Sequence, residues 1–147
     1  MIRTIIGAGL LVLASSCAAV AMPTRNEYLL KCSGCHLADG EGMPSHGIPN
    51  FIGQVGMFAD IPEGRAYIMH VPGVVGSSLS DQDISAVLNY IMKTFAGKSL
   101  PPDSKPFTAE EVARLRAENI GNVVEYRRKV ANILAARGLT APAYPWP

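Results

Sequence analysis

Cys32-Ser33-Gly34-Cys35-His36 constrains this chain more than any other stretch of it. Two thiols at this spacing fall about one helical turn apart, with an imidazole directly after the second. A disulfide between them would close almost no loop and so stabilise little. A thioredoxin-like redox pair requires a βαβ setting, and no alternation of strand and helix patterns surrounds this one. Structural zinc is four-coordinate, and after His36 only His46 and His70 remain, with no further cysteine. C-x-x-C-H is instead the pattern of covalent haem attachment. Each thiol can form a thioether to a porphyrin vinyl group, and His36 then reaches the iron from the same side as the proximal ligand. Ser33 and Gly34 are small, so the porphyrin edge can lie close to the backbone between the sulfurs. Cys32, Cys35 and His36 are therefore the expected cofactor-binding residues, and a single motif implies a single haem c.

The first residues read differently from the rest. Met1-Ile2-Arg3-Thr4 is a short positive region, and Ile5 to Val20 is an almost unbroken apolar run. A membrane-spanning helix needs ~20 apolar residues, so this run fits a secretory signal better. Ala19-Val20-Ala21 supplies an A-x-A cleavage site, which predicts a signal peptide over 1–21 and a mature start at Met22. Of the three cysteines, Cys17 leaves with it. Leu13-Ala14-Ser15-Ser16-Cys17 also reads as a lipoprotein box, and membrane contact is expected only if Cys17 is lipidated and retained. A net charge of +1 gives no basis for a nucleic-acid partner.

Helical signals dominate the mature chain. Thr24-Arg25-Asn26-Glu27 is a capping box, which predicts a first helix carrying Tyr28, Leu29 and Cys32 on one face. From Leu37 to Gly56 the glycines, with Pro44 and Pro49, predict a loop. Pro62 suits a first helical position, and the helix it opens should run to His70, before Pro72. Val71 to Ser78 reads as a short Gly/Ser-rich loop. Ser80 and Asp83 cap a longer helix whose Ile84, Val87, Leu88, Ile91, Met92 and Phe95 form one apolar stripe, ended by Gly97. Leu100-Pro101-Pro102 and Pro106 read as a linker. Thr108 and Asn122 then cap two more helices, with Val112 and Leu115 on the first and Val123, Val130, Ile133 and Leu134 on the second. The tail from Pro142 to Pro147 is expected to be mobile. Residues 22–100 carry five Lys/Arg against seven Asp/Glu, and 101–147 carry seven against five. The extension is thus placed to lie partly on the acidic core or to present Arg127-Arg128-Lys129 to an acidic partner, unless that run is simply a solvated helix face, the commoner case for such a cluster.

With these residues in view, the chain resembles the class I c-type cytochromes. The resemblance rests on Cys32 to His36, on Ala38-Asp39-Gly40-Glu41-Gly42, on Ile48-Pro49-Asn50-Phe51 and on Leu79-Ser80-Asp81-Gln82-Asp83-Ile84, in that order, and covers about residues 24 to 96. It implies an all-α fold of cytochrome c-like helices and loops wrapped around one covalent haem, over residues 22–100. Residues 101–147 would follow as linker, helical extension and Pro-rich tail. It also implies that Pro49 and Phe51 contact the proximal side, that the first and last core helices cross, with Tyr28 and Leu29 meeting Leu88, Ile91 or Met92, and that haem is attached outside the cytoplasm, in the periplasm.

The family pattern breaks at the second axial ligand. A typical member carries Met-Pro ahead of the last helix, whereas this chain reads His70-Val71-Pro72-Gly73-Val74-Val75-Gly76. Valine cannot bind iron. His70 stands nearest and is the expected metal ligand beside His36; Met69, Met43, His46, Met57 or no protein ligand are the alternatives. The resemblance implies a periplasmic monohaem carrier of single electrons between a dehydrogenase and a downstream acceptor, with a redox protein as partner. The alternative is a haem enzyme or gas-binding protein with an open sixth coordination site.

Overall fold

A computed structural model describes residues 24–143. The expected signal peptide, its cleavage site, the alternative lipid site at Cys17 and the last four residues of the tail lie outside the described residues. Along the described chain run eight α-helices: α1 (Thr24–Lys31), α2 (Ser33–His36), α3 (Val55–Ala59), α4 (Pro62–His70), α5 (Pro72–Val75), α6 (Asp81–Phe95), α7 (Ala109–Arg116) and α8 (Val123–Ala136). Single 3₁₀ turns lie at Pro44–His46 and Gly97–Ser99. An antiparallel bridge between Met43 and Ile48 is isolated from any strand. The fold is all-α, as expected. No helix among the described residues is long and apolar enough to cross a membrane.

The helix with the clearest sequence signature is the spine. Ser80 accepts a hydrogen bond from the Asp83 N–H at 3.1 Å and donates to the Asp83 carboxylate at 2.6 Å, which fixes where α6 begins. Its stripe of Ile84, Val87, Leu88, Ile91, Met92 and Phe95 is buried throughout. Helices α1 and α7 both pack against this spine, so the first and last core helices meet as expected. Tyr28 is fully buried; its ring lies 5.6 Å from that of Tyr90 and 5.3 Å from that of Phe95.

Two short helices interrupt segments that the sequence presents as loops. Helix α3 comes soon after Gly53 and packs against α4, where Gly64 comes so close that a Cβ would lie 2.0 Å from the Phe58 carbonyl oxygen. Helix α5 is one turn built on Pro72, with the Val75 and Gly76 N–H groups returning to Val71 and Pro72.

Residues 101–143 are packed onto the core rather than strung behind it. Phe107, Val112, Leu115, Val130 and Leu134 join the same buried cluster as Tyr28 and the α6 stripe. Helices α7 and α8 both contact α4. Asn89 on α6 pairs with the backbone of Phe107 at both ends of its amide, at 2.9 and 2.8 Å. Arg65 on α4 meets Glu111 with two nitrogens at 2.7 and 2.5 Å and donates to the carbonyls of Ala59 and Lys105, both at 3.1 Å. Its guanidinium also lies 3.7 Å from the centre of the Phe107 ring. Arg116 pairs with Asp81 at 2.5 Å and Arg137 with Asp60 at 3.8 Å, so basic residues of the extension do lie on acidic residues of the core. The run 127–129 is not one exposed cluster: Arg127 is buried and donates to the Pro142 carbonyl at 2.6 Å. Arg128 pairs with Glu125, and Lys129 lies over Tyr126.

Candidate functional site

The motif sits where α1 hands over to α2. The Cys32 N–H still bonds the Tyr28 carbonyl at 2.9 Å, and Cys32 in turn accepts from the N–H groups of Cys35 and His36 at 3.2 and 2.9 Å. Ser33 donates its hydroxyl to the Leu29 carbonyl at 2.7 Å, tying the two helices together. These bonds set the two thiols and the imidazole within a single turn. Cys32 is half-buried and Cys35 exposed, both as free thiols. Burial, helped by the neighbouring Cys35, pushes the Cys32 thiol up, so it stays protonated near neutral pH.

The loop after His36 orients its ring. The imidazole Nδ1 lies 3.2 Å from the carbonyl oxygen of Pro49. A carbonyl only accepts, so Nδ1 carries the proton and Nε2 keeps its lone pair. The ring stacks on Phe51 with centroids 3.9 Å apart and planes 16° off parallel. Burial lowers the proton affinity of His36 more than the Pro49 bond raises it, which favours the neutral imidazole. Neutral imidazole is the form that binds a metal, and an acceptor on the far nitrogen fixes its tautomer.

The segment that brings Pro49 back is tightly tied. Leu37 turns the chain with φ of +59° and ψ of 166°, a combination few residues other than glycine adopt. The Tyr28 hydroxyl donates to its carbonyl at 2.6 Å. Gly42 donates its N–H to the His36 carbonyl at 3.0 Å, and Phe51 donates to the Gly40 carbonyl at 2.8 Å. Gly42 has φ of +65°, and a Cβ there would stand 2.4 Å from the Pro49 oxygen. Thus Pro49 and Phe51 are brought onto His36 by a loop closed around two glycines.

These residues fit a haem held through two thioethers. The thiols and a correctly polarised Nε2 lie together within one turn, and apolar residues next to His36 and Phe51 are open to solvent. Leu37 and Ile52 are 39 and 46% exposed. Phe51, Val55, Val74 and Leu79 are half-buried against the core. No group of three His, Cys, Asp or Glu among the described residues could hold a metal ion without such a macrocycle.

The expected second ligand already has hydrogen-bond partners. His70 ends α4 with Nδ1 2.8 Å from the Ala66 carbonyl oxygen and Nε2 2.8 Å from that of Glu118. Both nitrogens thus face acceptors, one on its own helix and one just beyond α7. Met69 and Met57 are buried in the core. Met43 precedes and His46 ends the 3₁₀ turn of the Pro49 loop, and His46 has its Nδ1 3.1 Å from the Ser45 hydroxyl. Sequence reasoning passed over Gly42 and the hydroxyl of Tyr28 as parts of the site. A glycine inside a glycine-rich loop, and an aromatic on an apolar face, announce no role until the fold closes.

No family model matches the chain. It is 32% identical over 120 residues to a protein named cytochrome c-552 from Thermus thermophilus, covering 69% of this chain and 80% of that protein. It is 33% identical over 108 residues to another cytochrome c-552 from Thermus thermophilus, covering 61% of this chain and 82% of the relative. In the first comparison 69% of 147 residues is fewer than the 120 aligned, so the alignment passes over residues of the relative that this chain lacks.

Proposed function

The chain belongs to the c-type cytochromes, haem-iron electron carriers, and from that premise we propose that it carries single electrons through one haem c joined covalently to Cys32 and Cys35, with Nε2 of His36 on the iron. The observation that supports this most is the His36 to Pro49 bond beside two free thiols. Bound haem supplies a one-electron iron couple. The chain's own residues hold that couple in one geometry. Pro49 keeps the proton on Nδ1, Phe51 keeps the ring from turning, and Tyr28 anchors the turn at Leu37 to α1. Ligand identity, hydrogen bonds to the ligand and burial are the levers by which a protein sets such a couple; Pro49 supplies such a bond, and His36 is partly buried. The electron is received from a dehydrogenase and delivered to a downstream acceptor protein, in the periplasm, after removal of residues 1–21.

The test is haem retention. Cys32→Ala combined with Cys35→Ala, expressed where c-type haem is attached, should abolish haem staining after denaturing electrophoresis. His36→Ala should keep the stain and lose the spectrum of an imidazole-ligated haem. Haem that survives denaturation in the double variant would refute the attachment.

A further inference from the structure

We infer that this chain leaves the sixth position of its iron to a ligand from outside, a small neutral diatomic such as carbon monoxide or nitric oxide. This rests on the covalent attachment proposed above. An imidazole or thioether from the chain would otherwise complete the iron, and the described residues commit each of theirs. Met43 and Ile48 exchange backbone hydrogen bonds at 2.9 and 3.1 Å. Pro49 comes next and bonds His36, so Met43 and His46 belong to the loop on the His36 side. Met57, Met69 and Met92 are 8, 1 and 6% exposed within the core.

His70 is the nearest in sequence to the family's ligand position, and both its ring nitrogens point at carbonyl oxygens, at 2.8 Å each. A nitrogen that donates a proton to a carbonyl has no lone pair to give iron. A neutral ring donates through one nitrogen only; with Nε2 as that donor, swinging the ring away would break the bond that joins α4 to the segment just beyond α7. The residue is therefore spent on holding the C-terminal helices, in a chain whose alignment to cytochrome c-552 already omits residues.

The place of the missing Met-Pro is taken by an apolar segment. From Val71 to Leu79 the chain has no charged side chain. The Ser77 hydroxyl is used internally, donating to the Val74 carbonyl at 2.9 Å and accepting from the Leu79 N–H at 3.3 Å. An apolar wall disfavours an unpaired anion and tolerates a neutral diatomic.

Carbon monoxide is the probe. Ferrous holoprotein is titrated with it optically, the ferric protein is scanned in the near infrared, and the haem type is read separately from the denatured protein in pyridine. The expected result is a c-type haemochrome, a complete Soret shift at one carbon monoxide per haem, and no sulfur-ligand band in the near infrared. His70→Gln, which keeps hydrogen-bonding capacity, should leave the ligand-free spectra unchanged. A ferrous spectrum indifferent to carbon monoxide, a near-infrared sulfur band, or a spectrum altered by His70→Gln would overturn the inference while leaving the covalent haem intact. A protein without covalent haem would instead refute the attachment, and this inference with it.

Discussion

The Tyr28 hydroxyl donates a 2.6 Å hydrogen bond to the Leu37 carbonyl, joining a fully buried side chain to the residue that turns the chain after His36. The bond is worth on the order of 1 kcal/mol net, and Tyr28→Phe removes it without emptying the core. We expect that loss in urea unfolding of the holoprotein. Burial, with smaller contributions from Cys32, Tyr90 and Asp39, pushes the Tyr28 hydroxyl up to about 12. Its folded-state proton affinity is thus raised, so its contribution is complete below the ordinary tyrosine value and is lost as pH climbs through it towards about 12. Stability of the parent protein should fall over that alkaline window with a slope that Tyr28→Phe lacks. Equal slopes would show that the hydroxyl is not held as described.

Gly42 couples backbone conformation to the imidazole. Any side chain there meets the Pro49 oxygen at 2.4 Å and the Ile48 oxygen at 2.7 Å, and φ of +65° strains it further. Gly42→Ala should cost about 2 kcal/mol or more, the left-handed backbone alone accounting for ~1. Because the displaced atom is the acceptor of the His36 bond, the reduction potential should move as well. Gly121→Ala is the control: its φ of +69° is equally strained, but nothing lies within 4 Å of its Cβ. If both variants lose stability and only Gly42→Ala shifts the potential, the Pro49 carbonyl is the link.

Legibility in the sequence tracks the range of the forces involved. Caps are local, and Ser80, Thr108 and Asn122 each accept the backbone bonds that their sequence patterns promise. The α6 stripe repeats over fifteen residues and was legible for the same reason. Helices α3 and α5 were not, because each is a single turn among glycines and prolines whose helicity depends on packing. At the site, the thiols and His36 come from one motif, whereas the task of His70 depends on Glu118, a residue distant in the chain. The linker reading of 101–106 missed that Arg65 would collect the carbonyls of Lys105 and Pro106. Prolines mark where a helix cannot run, not what the segment lies upon.

Glu111 gives an acid counterpart to the tyrosine. The two hydrogen bonds from Arg65 hold its carboxyl below the ordinary glutamate value, against the opposing effect of burial. Its folded-state proton affinity is lowered, so its contribution is present above the ordinary glutamate value and is lost as pH falls through the folded one. Glu111→Gln should therefore be less stable than the parent near neutral pH by roughly 1–2 kcal/mol, between the values for exposed and buried pairs. The difference should shrink on acidification below the glutamate range. Arg65→Lys should lose most of the same energy, since an ammonium cannot make the paired contact or stack on Phe107. Thermal unfolding of the three proteins from neutral pH into acid decides this.

Asn89 tests whether the C-terminal helices share one cooperative unit with the haem-bearing part. It sits on α6 and satisfies both the N–H and the carbonyl of Phe107, a residue only 3% exposed. Removing the amide orphans two backbone groups beside the core, at a cost of ~1–3 kcal/mol for each one that water does not reach. Asn89→Ala should therefore lower the midpoint of a single unfolding transition, followed alike by haem absorbance and by helical circular dichroism. The shared cluster from Tyr28 to Leu134 requires that coincidence. If dichroism instead fell first, with the haem signal unchanged, residues 101–143 would be a separable unit resting on the core.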